Sequence, residues 1–178
     1  MNSRFGAIVR REVGAYARTP MGWLVAALVL SLNALQLNGV AMGSERRPSS
    51  WVLEVFVLNA SFLTEALAVL LTMRLQLDER EAPLWRSLPV GDVELVLGRF
   101  TAAMIWLGGI TLATLYLPAL IFVNGHVSLA HIATGYAGVL LVGAFGLAIG
   151  SWMAALTRRP LTAALATAGV LAMLELGY

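Results

Sequence analysis

Few residues in this chain have types and spacings that could carry chemistry, and most familiar constellations are missing. There is no Cys, which removes thiolate catalysis, disulfides and cysteine metal sites together. All 12 basic residues are Arg, so the lysine that grips phosphate in G-x-x-x-x-G-K-[ST] has no counterpart and a P-loop site is impossible here. Neither H-E-x-x-H nor G-x-S-x-G occurs. His126 and His131 lie five apart, which does not place them on one helical face as i, i+4 would, so no metal pair is expected. What remains is polar chemistry inside apolar runs. Glu65 stands in the middle of one such run with Ser61 and Thr64 nearby. An ionised carboxylate is costly in a bilayer, so Glu65 either faces a translocation path or glues two helices through a hydrogen-bonded carboxyl. Asn33 and Gln36, three apart among Ser31 and Asn38, either line a pore or hydrogen-bond a neighbouring helix. Gly143, Gly146 and Gly150 form a small-residue stripe containing G-x-x-x-G, which fits close packing inside one bundle or a dimer seam.

The elements that hold these positions follow from composition. Of 178 residues, 59% are hydrophobic and 12% charged, with mean hydropathy +0.80; a soluble domain has about 25% charged and about 45–50% apolar residues. Soluble enzyme folds are therefore excluded, and a net charge of +2 argues against nucleic acid as a partner. Apolar runs fall at about 20–42, 51–73, 100–123, 132–156 and 161–178, each near the ~20 residues a spanning helix needs. Each run is continuously apolar, where a barrel strand would alternate over about ten residues. The expected fold class is an all-α integral membrane protein, one polytopic helical bundle of about five transmembrane helices forming a single transmembrane domain over 1–178.

Charge placement sets the orientation. Arg4, Arg10, Arg11, Arg18, Arg74, Arg80, Arg86, Arg99, Arg158 and Arg159 collect on one side, against Arg46 and Arg47 on the other, which makes the N-terminus cytoplasmic in a multi-pass membrane protein. Residues 1–19 are too charged for a cleaved signal peptide, and the run that follows is too long for one. Phe5, Ile8, Val9, Val13 and Tyr16 recur at helical spacing, predicting an amphipathic helix on the cytoplasmic leaflet with its arginines drawn to anionic membrane lipid. Thr19 and Pro20 mark a bend into the first span.

The cytoplasmic stretch 74–99 is the longest polar segment and the only one able to meet a soluble partner. Pro83–Leu88 predicts a short helix presenting Leu84, Trp85 and Leu88; Pro89 to Gly91 turn the chain, and Asp92 is the expected N-cap of a helix running into the third span. The segment is either a solvated hairpin or a surface that receives force from a motor.

Several motifs carry a resemblance across nearly the whole chain. They are R-R-E at Arg10–Glu12, L-T-M-R-L at Leu71–Leu75, S-L-P-V-x-D at Ser87–Asp92, V-L-G-R-F at Val96–Phe100, G-Y-A-G-V-L-L-V-G-A at Gly135–Ala144 and L-T-R at Leu156–Arg158. With these the chain resembles the membrane permease subunit of ABC transporters of the type-2 exporter class, in the gliding-motility and copper-processing branch. The resemblance implies a bacterial inner-membrane subunit that exports a substrate, dimerises with a second permease chain, and pairs with two copies of a separate ATPase subunit that binds ATP and Mg. It places the coupling helix on Leu84, Trp85, Arg86 and Leu88, flanked by Glu79, Arg80 and Asp92. No cofactor and no catalytic residue is expected in this chain. The chain departs from the family where Arg80, Glu81 and Pro83 stand in place of a Gly-Thr-acidic sequence. Members also continue into an outer re-entrant segment and a sixth span, so the expectation is a permease lacking its sixth helix. The alternative is a non-transporting or truncated membrane subunit that anchors or regulates an ATPase complex.

Overall fold

The structure is a computed structural model that describes residues 2–41, 48–75, 91–124, 128–157 and 159–177. These residues fold into seven helices with no strand among them: α1 (Asn2–Arg18), α2 (Pro20–Ala41), α3 (Ser49–Leu75), α4 (Asp92–Ala113), α5 (Tyr116–Asn124), α6 (Leu129–Leu156) and α7 (Pro160–Leu176). Four stretches are long and apolar enough to cross a bilayer: Pro20–Gly39, Ser49–Met73, Val93–Val123 across α4 and α5, and Leu129–Leu156. Where no water can hydrogen-bond a backbone, continuously apolar sequence must close its own i to i−4 ladder, and helix is the outcome. These helices are apolar all round: Leu28, Leu58, Phe62, Leu141 and Phe145 remain exposed at mid-helix, as expected of faces turned to lipid. The chain is an all-α, multi-pass membrane bundle. The fifth expected span is a shorter helix, since α7 has 17 residues, about 25 Å at 1.5 Å per residue against a hydrocarbon core of ~30 Å.

Helix α3 is the centre of the bundle, packing on α2, α4, α5, α6 and α7. Its closest partner is α6, and glycines make the approach. A methyl on Gly135 would lie 2.8 Å from Val57, on Gly143 2.7 Å from Thr64, and on Gly146 3.1 Å from Ala68, while on Gly150 it would fall onto the Thr72 hydroxyl. The pairs advance together along both chains, so α3 and α6 run parallel and in step. Gly143, Gly146 and Gly150 thus face the interior of one bundle.

Two apolar clusters stack along the bundle. One gathers Tyr16, Ala26, Val29, Leu67, Leu71, Ala103, Leu107 and Leu147; the other gathers Leu37, Leu53, Phe56, Leu117, Ile132, Tyr136 and Val139.

The third span differs from the single helix expected over 100–123. It starts earlier, at Asp92, and breaks between Ala113 and Tyr116. Pro118 has no N–H for the Thr114 carbonyl and its ring crowds that group. The chain answers with tighter i to i−3 bonds: Thr114 N–H to Thr111 O at 3.1 Å, Leu115 N–H to Leu112 O at 3.0 Å and Leu117 N–H to Thr114 O at 3.0 Å. The cap of α4 is Gly91, in extended conformation, with its carbonyl accepting from Leu95 N–H at 3.1 Å; Asp92 is the first helical residue and not the N-cap, because the extended residue that opens the helix lies one position earlier.

The apolar stripe of α1 also has a different cover from the one its periodicity implies. Ile8 and Tyr16 are buried, with Val9 and Val13 packed beside them against the core, because α1 lies along α4. Ile8 meets Leu95, and its side chain fills the space beside Gly98. Tyr16 stacks on Trp106 with ring centroids 6.1 Å apart, and Trp23 meets the same ring edge-on at 5.9 Å. The turn into α2 is tied by Thr19, whose hydroxyl donates to Tyr16 O at 3.1 Å and whose carbonyl accepts from Gly22 N–H at 3.0 Å.

Candidate functional site

On each of the four long spans, polar or small residues occupy the interval between the two apolar clusters. On α2 this interval holds Asn33 and Gln36, between Val29 and Leu37; on α3 it holds Thr64, between Ala60 and Leu67; on α4 Thr111 and Thr114 lie between Ile110 and Leu117; on α6 Gly143 lies between Val139 and Leu147. Asn33, Thr64, Thr111 and Thr114 are all buried. The result is a polar layer halfway through the bundle, at the level where the third span is broken.

The groups in this layer are satisfied unequally. Thr114 donates its hydroxyl to Thr111 O at 2.6 Å. That uses its one hydrogen, so the 2.9 Å contact between Thr114 Oγ1 and Tyr136 has the tyrosine hydroxyl as donor. This bond ties the helix break to α6. Asn33, 2% exposed, donates from Nδ2 to Val29 O at 2.9 Å. Its Oδ1 has no partner, and neither does the buried Oε1 of Gln36. Two carboxamide oxygens one turn apart therefore stand as unfilled acceptors. If the unpaired oxygen is the main energetic feature of Asn33, Asn33→Leu will leave the melting temperature in detergent unchanged or raise stability by about 1 kcal/mol, because the desolvated acceptor leaves with the side chain. A marked fall in melting temperature would show that the amide has a partner.

Glu65 is half-buried on α3, and its carboxyl neighbours that of Glu175 on α7. The expected polar face shared by Ser61, Thr64 and Glu65 does not form. Ser61 donates back to Val57 O at 3.0 Å, and Thr64 turns its methyl to the α6 glycine seam, while Glu65, a further 100° round the helix, faces α7.

At the end of the bundle that carries α1, Arg99 and Glu12 form an ion pair with Nε to Oε1 3.5 Å apart and exposures of 7% and 17%. The sequence marked Arg99 through the basic bias and the V-L-G-R-F motif, and Glu12 through the R-R-E motif, without pairing them. Of the expected coupling residues, Glu79, Arg80, Leu84, Trp85, Arg86 and Leu88 lie outside the described residues, as do Arg46, Arg47 and His126, while Asp92 opens α4. No group of His, Asp or Glu able to hold a metal ion occurs among the described residues. No protein-family model matches the chain, and no curated protein or solved structure matches it either.

Proposed function

We propose that the chain is the membrane-spanning permease subunit of an ATP-driven exporter of the ABC type-2 class, N-terminus cytoplasmic in a bacterial inner membrane. It works beside a second permease chain and two copies of a separate ATPase that binds ATP and Mg. The observation that favours this reading is the arm that follows the polar segment. Helix α4 begins at Asp92, directly after the stretch 79–92. Its first turns are fastened to α1 by the Ile8–Leu95 contact and the Glu12–Arg99 pair. A solvated hairpin needs no such buttress, whereas a segment that receives force does. A push delivered at Trp85 and Leu88 would pass into a two-helix arm that reaches Trp106 inside the bundle. From there it would tilt the broken third span past the polar layer, where Asn33, Gln36 and Glu65 are the residues offered to a translocating substrate. Transport of this kind needs no catalytic residue here; the chain supplies positioned polar groups and a moving helix.

The test is assembly. Co-expressed with ABC-type P-loop ATPases from the same genome, the tagged chain is expected to retain one of them through affinity and size-exclusion steps, with equal numbers of the two subunits. Purification of the folded chain alone under those conditions would overturn the reading.

A further inference from the structure

Helix α1 turns its apolar stripe to α4, so it has no apolar face left with which to enter a leaflet. Its other face is arginine. Arg10, Arg11 and Arg18 are exposed and, among the described residues, line with Gly6 and Ala7 an open cleft of about 650 Å³. Ala7, Arg11 and Arg18 share one line of the helix, with Gly6, Arg10 and Gly14 along its flank. A methyl added at Gly6 or Gly14 would meet nothing within 4 Å, so a phosphate-sized group can come up to the helix between the guanidinium groups. Arg18 lies two residues before Pro20, where the first span opens, which puts the row at the depth of lipid headgroups.

We propose that this face binds the phosphate headgroup of an anionic phospholipid, and that charge alone holds it there. Guanidinium groups match phosphate oxygens with paired N–H donors and remain charged at any physiological pH. The inference needs only the membrane fold and stands apart from the transport reading. It also differs in kind from an amphipathic helix partitioning into the leaflet. Attachment through charge weakens with salt and depends on the headgroup, whereas apolar insertion does neither to the same degree.

The chain purified in dodecyl maltoside is titrated with dioleoylphosphatidylglycerol or dioleoylphosphatidylcholine, and bound lipid is read by native mass spectrometry. The wild type is expected to favour phosphatidylglycerol, by about fivefold for each contributing arginine. Arg18→Gln is expected to lose about fivefold of that preference, and Arg10→Gln with Arg11→Gln and Arg18→Gln nearly all of it. All three side chains are exposed, and melting temperatures measured in parallel separate lost lipid preference from lost folding. Raising ionic strength from about 0.05 to about 0.5 M shrinks the preference in the wild type, as screening requires. Arg159→Gln, an exposed arginine before α7 and outside the cleft, keeps it. Three results would overturn the proposal: a triple variant that still prefers phosphatidylglycerol, an equal loss in Arg159→Gln, or displacement of the lipid by inorganic phosphate at similar concentration. The last would identify a soluble anion as the occupant.

Discussion

Gly150→Ala is expected to destabilise the bundle by about 3 kcal/mol, the upper end of the usual range for an overpacked core. Thr72 is fully buried opposite it, with its hydroxyl donating to Ala68 O at 2.9 Å, and the added methyl falls onto that hydroxyl. Threonine branches at Cβ, so turning away breaks the hydrogen bond and drives another branch into the seam. Moving α6 outward instead would loosen the close approach at Gly146 and Gly143, where a methyl, if added, would lie only 3.1 Å from Ala68 and 2.7 Å from Thr64. Thr72→Ala removes the obstructing hydroxyl, so the double variant Gly150→Ala with Thr72→Ala is expected to recover most of the loss, a coupling that a double-mutant cycle measures directly. Gly138→Ala, on the same helix with nothing within 4 Å of the new methyl, is expected to be neutral or to gain up to about 1 kcal/mol from helix propensity. Thermal unfolding of the wild type and the four variants in detergent checks this. Equal melting temperatures for Gly150→Ala and Gly138→Ala would show that α3 and α6 are not seated as described.

The second large effect belongs to the Glu12–Arg99 pair. Glu12→Ala leaves a guanidinium that is 93% buried without its carboxylate, and removing one partner of a buried ion pair costs about 3 kcal/mol or more. Replacing both by leucine is expected to restore much of the stability, since an apolar pair of similar volume is often as good as a buried ion pair. The loss in Glu12→Ala should be local: amide exchange rises across α1 and the first turns of α4, while α3 and α6 keep their protection. Unchanged exchange in α1 would show that the pair does not fasten it.

These two cases mark where sequence reading succeeds and where it stops. Helix type and approximate spans were legible because continuous apolar runs in a bilayer leave the backbone one solution, and the stripe from Phe5 to Tyr16 reads directly as helical spacing. The glycine stripe announced close packing, yet nothing local says that Val57, Thr64, Ala68 and Thr72 would be its partners. Arg99 and Glu12 come from distant parts of the chain, so their pairing depends on how α1 lies on α4. Glu65 stood out as an intramembrane carboxyl, but Glu175 could be matched to it only once α7 was set antiparallel against α3. The break in the third span had a visible signal in Pro118; extending one helix through it underrated what a missing N–H does at the Thr114 carbonyl. The unpartnered oxygens of Asn33 and Gln36 follow from burial, which spacing alone does not report.

The central claim is that this chain turns ATP-driven motion of a partner into motion of its spans through the segment 79–92. The most direct measurement is ATP turnover by this chain reconstituted with the P-loop ATPase it retains on co-expression, comparing wild type with Trp85→Ala plus Leu88→Ala. Both residues lie outside the described residues, so the melting temperature of the variant is measured beside its turnover. The account predicts at least a tenfold change in permease-dependent turnover, or loss of the complex, from removing two apolar anchors worth about 1.5 kcal/mol or more each. A stable complex whose turnover matches wild type would contradict it.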